Sequence, residues 1–234
     1  MKAEYINHMG DDLTVVNAAR VSFDKESTWE EVSGWVFAYN EEPKRIPPIS
    51  LVISDKDKKL INYLARHNHW TPFSHAMITM RETVPIFVAR QRFKHMVGFT
   101  YNEVSRRYVD DKPEFFTPDK WRKRAENKKQ GSSDESVDRP EATKLMYGVA
   151  TAYALSTYNG LLEIGVAPEQ ARMVLPQSMY TSYYTTGSLS AFARAYNLRS
   201  KGDSQKEIQE LATQWDKIIR PLFPYSWSAL TNGT

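Results

Sequence analysis

Hydrophobic positions divide the chain into helical and strand-like stretches. From Met9 to Phe23, Leu13, Val16, Ala19 and Phe23 share one helical face, and Asp11 or Asp12 supplies an N-cap. Trp29 to Pro48 is mixed, aromatic and bounded by proline, and reads as a short helix or a loop. Ser54 to Asn68 is a helix with Leu60, Ile61 and Leu64 as its apolar stripe. Ser54 with Asp57 resembles a capping box, and the helix stops near His67-Asn68-His69. From Ala76 to Val84, Ala76, Ile78 and Met80 alternate with Met77, Thr79 and Arg81, the period of a strand. Pro85 ends that strand and opens a helix from Ile86 to about Met96. Gly98 breaks it, and Asn102 to Tyr108 follows as a loop or extended segment.

Asp111 to Lys144 is the most polar stretch, basic in its first half and acidic in its second, and reads as a surface excursion. Leu145 to Ile164 is a long helix ending at Gly165. Its Tyr147, Tyr153 and Tyr158, with Met and Leu at helical spacing, fit core or a subunit interface better than a cofactor site. Pro168 to Leu175 is a short helix. It carries Arg172 among apolar neighbours, where an ion pair with Glu169 and a ligand phosphate or carboxylate are both open readings. Pro176 to Ser190 is strand-like, and Ala191 to Arg199 is helical. Asp203 to Leu222 is a final helix, with Ser204 and Glu207 as a capping box and Ile208, Leu211, Trp215, Ile218 and Ile219 as its buried face. The expected fold is therefore α+β. An antiparallel sheet built from segments such as 76–84 and 177–187 is flanked by helices in one domain spanning 1–234.

Composition narrows the chemistry. At 234 residues, 41% hydrophobic and 25% charged, the chain fits a soluble globular protein. No apolar run approaches the roughly 18 residues of a membrane span. The N-terminal MKAEYINHMGDD lacks an apolar signal core, so cytoplasmic residence is the default expectation. There is no cysteine, which removes disulfides, thiolate metal sites and any sulfur nucleophile. The turn from His69 to His75 has no Asp, Glu or Cys close by to complete a metal site. Glycine-rich phosphate loops are absent as well.

The densest chemistry lies between Ala89 and Asp110. Arg90, Arg92, Lys94, His95, Arg106 and Arg107 are interleaved there with Phe93, Phe99, Tyr101 and Tyr108, and Glu103 stands among them. Arginine forks suit phosphate or carboxylate, so the stretch points to an anionic ligand carrying a polar ring. The same interleaving, with the basic run from Lys120 to Lys129, also fits a single-stranded nucleic-acid-binding module. A net charge of only +3 and the central Glu103 weigh against that module. Ser105 has no base at obvious spacing and reads as a binding residue, not a nucleophile.

Six blocks, in order, resemble the flavin-dependent thymidylate synthases. They are Asn17-Ala18-Ala19-Arg20-Val21-Ser22-Phe23, His69-Trp70-Thr71-Pro72-Phe73, Pro85 to Gln91, Asn102-Glu103-Val104-Ser105-Arg106-Arg107-Tyr108, Glu169 to Pro176, and Asn197-Leu198-Arg199. The fourth is the best anchor. The resemblance implies reductive methylation of dUMP to dTMP, with FAD reduced by NADPH and methylenetetrahydrofolate as carbon donor. A chain without cysteine is compatible with that chemistry.

By resemblance, dUMP would be bound by Gln91, Arg92, Lys94, Glu103, Val104, Ser105, Arg106, Arg107, Arg172 and Arg199. Val104 and Arg106 would offer backbone N–H groups, and Arg199 would face the uracil as the catalytic cation. Thr71, Lys94, His95, Met96, Glu103, Ser188, Ser190 and Arg194 would lie along FAD, and His69 would line the nicotinamide or folate approach. No metal is implied. The resemblance also implies a homotetramer with shared active sites, and neither a membrane nor a nucleic-acid partner.

The chain departs from the family pattern in three places. Lys94-His95-Met96 stands where the family's Arg-His-Arg is common, although a rival register puts the motif at Arg90-Gln91-Arg92. One extra residue separates His95 from Asn102. Ser188, Ser190 and Arg194 replace the more usual Asn, Arg and Asn, and Arg194 is a candidate to restore the cation lost at Met96. These departures keep a catalytically weak nucleotide-binding relative open as a further alternative.

Overall fold

Strand β6, Met77–Pro85, turns Ile78, Met80, Glu82 and Val84 inward and leaves Thr79, Arg81 and Thr83 on its other face. It is a central strand of the sheet. The structure, a computed structural model, describes residues 1–32, 35–36, 44–45, 50–108, 112–126 and 131–231. In the main antiparallel sheet β1 (Lys2–Met9) pairs with β6, β6 with β10 (Tyr180–Ser188), and β10 with β7 (Phe99–Glu103). Smaller pairs join β2 (Glu30–Val32) to β5 (Ser50–Val52), β3 (Trp35–Val36) to β4 (Lys44–Arg45), and β8 (Arg122–Arg124) to β9 (Ser132–Ser136). The expected α+β class is observed. The expectation for 29–48 falls mostly outside the described residues.

The described residues also form eight helices. They are α1 (Asp12–Arg20), α2 (Asp55–Arg66), α3 (Ile86–Arg92), α4 (Pro140–Glu163), the short α5 (Pro168–Ala171), α6 (Leu189–Arg199), α7 (Lys206–Ile219) and α8 (Pro224–Thr231). Val15, Val16, Ile61, Phe73, Ile78, Met80, Phe192, Leu211, Trp215 and Trp227 are fully buried between them. Asp11 caps α1 by accepting the Thr14 N–H at 2.8 Å, and Ser54 caps α2 through Asp57 N–H at 3.1 Å. Asp12 accepts the Tyr225 and Ser226 N–H groups of α8 at 3.0 and 2.7 Å, tying the C-terminal helix to the first.

A buried ion pair sits in this core. Glu82 and Arg92 are both fully inaccessible and meet at 3.2 Å. Glu82 also accepts from Tyr183 Oη at 2.5 Å and Trp215 Nε1 at 2.9 Å. Arg92 donates to Tyr101 Oη at 2.5 Å and lies 4.2 Å from the Phe99 ring centroid and 4.7 Å from that of Trp215. Buried charges persist only when paired and hydrogen-bonded in this way. Burial raises the Tyr183 hydroxyl well above its ordinary value and pushes Tyr101 up to about 12, so both act as neutral donors.

Several expectations are corrected. Phe23 is 77% exposed, because α1 tightens at Val21 and ends at Asp24 in a left-handed turn. Helix α3 stops at Arg92, so Lys94 and His95 lie in the turn beyond it. Strand β7 begins at Phe99, earlier than expected, after Gly98 at φ 80°. Ser204 is no cap. Its Oγ donates to the Leu198 carbonyl at 2.9 Å, Gln205 takes the N-cap position, and the Glu207 carboxylate pairs with Arg122 at 2.7 Å. Strand β1 and helix α8 were not expected from the pattern.

The polar excursion is structured in part. It contains β8 and β9, and α4 starts within it at Pro140. Lys123 pairs with Asp138 at 2.6 Å, Lys120 donates to the Asp134 carbonyl, and Lys206 pairs with Asp134 at 3.2 Å. The basic half is thus folded back on its acidic half. Helix α4 closes in a C-terminal motif in which Val166 N–H reaches the Leu161 carbonyl and Gly165 N–H the Leu162 carbonyl. Only Tyr158 is buried along its 24 residues, while Leu145, Met146, Val149 and Tyr153 are exposed. Among the described residues no helix is long and apolar enough to cross a membrane.

Candidate active site

The turn after α3 and the helix α6 assemble one group of the expected residues. His95 Nε2 accepts Arg199 Nε–H at 2.9 Å, and Tyr101 Oη, fixed on β7, donates to the His95 carbonyl at 2.7 Å. Burial, reinforced by the Arg199, Arg92 and Arg194 charges, pulls His95 down to about 4, so the ring is neutral near pH 7. Burial lowers Arg199 too. Gln91 donates to Gln205 Oε1 at 2.6 Å. Arg194 donates to the Val97 carbonyl at 2.7 Å and holds the turn against α6. Lys94, His95, Met96, Val97, Phe99, Ala191 and Arg194 enclose a cavity of about 270 Å³.

Arg194 also lines a larger cavity of about 710 Å³, with His69, Trp70, Phe73, Ser190 and Asn197 on its walls. The Oδ1 of Asn197 is buried there without a partner among the described residues. Ser190 Oγ is bonded to Ser74 Oγ at 2.7 Å. Thr71 lies exposed on the adjoining turn.

A second group forms at the other end of β7. Glu103, Val104, Ser105, Arg106 and Arg172 line a cavity of about 980 Å³ together with Arg81 and Lys112. Thr181 Oγ1 donates to Glu103 at 2.6 Å. Arg107 Nε–H donates to Ser105 Oγ at 3.3 Å and its guanidinium lies 5.0 Å from the Tyr108 ring centroid. Phe99, beside the first group, and Glu103 are four residues apart on one strand, about 13 Å at strand rise.

Three of the expected residues are engaged elsewhere. Arg92, expected at the nucleotide and central to the rival register at Arg90-Gln91-Arg92, is buried in the core and paired with Glu82, and it lines none of the cavities. Val104 N–H donates to the Ser182 carbonyl at 2.9 Å as the ladder continues past β7, so it is not available to a phosphate. Ser188 is the buried N-cap of α6, its Oγ engaged by Ala191 N–H at 3.2 Å, and it lines neither cavity beside α6. The ion pair considered between Arg172 and Glu169 is not formed either; Arg172 Nε–H instead meets the Glu169 carbonyl at 3.2 Å.

Comparison with known proteins decides the family. A family model described as "Thymidylate synthase complementing protein" matches residues 4–225. The flavin-dependent thymidylate synthase of Thermosipho africanus is 36% identical over 227 residues, covering 96% of this chain and 88% of that protein. The chain belongs to the flavin-dependent thymidylate synthase family. A member from Thermus thermophilus is 36% identical over 224 residues, 96% of this chain and 73% of that one. Among solved structures, a UMP/dUMP methylase PolB from Streptomyces cacaoi bound with 5-Br dUMP superposes with a TM-score of 0.80 at 29% identity, covering 97% of this chain and 93% of that one.

Within this family frame, three residues without an assigned role in the sequence become visible. Asn197 supplies the orphan acceptor of the larger cavity. Its presence in the Asn197-Leu198-Arg199 block was the only signal. Arg81 adds a cation to the 980 Å³ cavity from the outward face of β6, where strand alternation already placed it. Gln205 anchors Gln91 from a loop, and nothing in the pattern marks it. Among the described residues there is no group of three or more His, Asp or Glu that could hold a metal.

Proposed function

We propose that the protein converts dUMP to dTMP by flavin-dependent reductive methylation. The observation that carries this reading is the pair of cation-bearing cavities at the two ends of β7, in a chain of this family with no cysteine. Arg172, Arg106 and Arg107 with Lys112 and Arg81 suit the dianionic phosphate, which favours forked, charge-assisted donors. Arg199, aimed by neutral His95, is suited to stabilise negative charge on a uracil imide.

The larger cavity fits the flavin. Its 710 Å³ lies within the range of about 300–1,000 Å³ for cofactor sites. Trp70 and Phe73 offer ring faces, Arg194 offers a cation, and the unpartnered Asn197 Oδ1 calls for a donor from the ligand. His69, Ser190, Arg194 and Asn197 would hold FAD there, with Lys94, His95 and Met96 beside it. When bound and reduced by NADPH, FAD supplies the hydride, while methylenetetrahydrofolate supplies the carbon. Arg194 and Met96 line one cavity, which supports Arg194 as the replacement cation.

The separation of the two groups supports self-association. One copy's Arg199 and His95 would meet another copy's Glu103–Arg107 and Arg172, in the homotetramer that the resemblance implies. The exposed Leu145, Met146, Val149 and Tyr153 of α4 are suited to that contact. The single-domain organisation of 1–234 and residence in the cytoplasm belong to the same proposal.

The purified protein should carry flavin absorbance, and dUMP should promote reoxidation of the NADPH-reduced flavin. A colourless protein that takes up no FAD and binds single-stranded DNA with steep salt dependence would overturn the reading.

A further inference from the structure

A fourth cavity, of about 270 Å³, lies between the β8–β9 hairpin, α4 and the first turn of α7, and shares no residue with the groups described above. Phe87, Phe116, Trp121 and Tyr147 supply its ring walls, and Glu207 and Ser178 reach it from the body of the protein. The rings form two edge-on pairs, Phe87 with Phe116 at 5.8 Å and Trp121 with Tyr147 at 5.2 Å between centroids. Two polar atoms here have no partner among the described residues. Glu207 is 96% buried, since its relative exposure is 4%. Its Oε1 is held by Arg122 at 2.7 Å, yet its Oε2 has no partner among the described residues. Ser178 Oγ is buried and likewise has no partner among the described residues. Buried acceptors are seldom left unpaired, because the lost hydration is not recovered.

We propose that this cavity binds a neutral, flat heteroaromatic ring presenting an N–H donor edge, the pattern of a nucleobase or a related aminopyrimidine. The free Glu207 oxygen takes the N–H, Ser178 serves the neighbouring position, and the aromatic walls pack against the ring faces. Charge argues against an organic cation, since two cations, Lys120 and Arg122, line the cavity with one carboxylate, Glu207. Size favours one or two fused rings, because the volume falls just under the usual lower limit of about 300 Å³ for drug-sized ligands.

Isocytosine is the probe, titrated by calorimetry into the flavin-loaded protein with dUMP saturating. Saturable binding with a dissociation constant below about 1 mM is expected. 1,3-Dimethyluracil, which has no N–H, should bind at least about tenfold more weakly. Glu207→Gln should weaken isocytosine to a similar degree, because Arg122 keeps the amide oxygen and an NH2 group then faces the ligand. Trp121→Leu, which leaves the Arg122–Glu207 pair intact, should also weaken it and serves if the first variant does not fold. No saturable binding would mean that the cavity holds water only, and binding seen only when dUMP is left out would place the ring in the nucleotide site. Equal or tighter binding of dimethyluracil or tetramethylammonium would make it an apolar or cationic slot. Each of these three results overturns the proposal.

Discussion

Arg199 Nε donates to His95 Nε2 across 2.9 Å, so the imidazole is the acceptor and carries its proton on Nδ1. The guanidinium is thereby oriented by a neutral ring, and protonation of that ring would set two cations against each other. With its pKa lowered to about 4, His95 binds its proton less readily in the folded protein than when unfolded. Its stabilising contribution is therefore fully present above the unfolded value of about 6.5 and declines as pH falls toward 4. NMR titration of the His95 ring carbons should give a midpoint near 4; a midpoint near 6.5 would mean that the pair is open in solution.

Arg92 is a core residue. Arg92→Met, which leaves Glu82 buried and unpaired, should cost about 3–5 kcal/mol in chemical denaturation. Arg107→Ala, at the exposed end of β7, should stay within about 1 kcal/mol and act on nucleotide affinity instead. A stable Arg92→Met protein with weakened dUMP binding would return Arg92 to the site.

Gly187 faces Phe99 across the β10–β7 pair so closely that a methyl group would overlap the ring. Gly187→Ala should destabilise by about 1–3 kcal/mol, as overpacking does. Phe99→Leu should recover part of the loss in a double-mutant cycle, because the two positions touch. Strict additivity would show that the ring moves freely and that β7 is not pinned there.

Arg194 and Lys94 share a cavity with Met96. Removing either side chain should weaken FAD about tenfold or more, each being a charged partner for an anionic ligand. Fluorescence titration of apoprotein with FAD measures this. Weakening by Lys94→Ala with no change for Arg194→Ala would end the idea that Arg194 compensates for Met96.

Much of the framework was legible in local pattern. The alternation of 76–84, the Ser54 cap and the stripe from Ile208 to Ile219 all rest on short-range rules, and they are found in the fold. Glu82 and Arg92 were not legible, because a charge on the inward face of a strand makes sense only once its distant partners are known. Strand β1 escaped for a related reason. It is an edge strand bearing Lys2 and Glu4, mostly exposed or half-buried, and it forms by pairing with β6. Family resemblance grouped the site residues, yet their division between the two ends of β7 comes from the sheet. The use of Val104 N–H and Ser188 Oγ in backbone bonds is likewise tertiary information.

The central proposal, methylation of dUMP by a reduced flavin without a thiol, is tested most directly by an anaerobic single turnover. Flavin-loaded protein is reduced with NADPH, mixed with dUMP and methylenetetrahydrofolate, quenched, and assayed for nucleotide. One dTMP per reduced flavin is predicted for the wild type, with turnover strongly reduced in Arg199→Ala that still holds FAD. Reduced, flavin-loaded wild-type protein that returns only dUMP would contradict it.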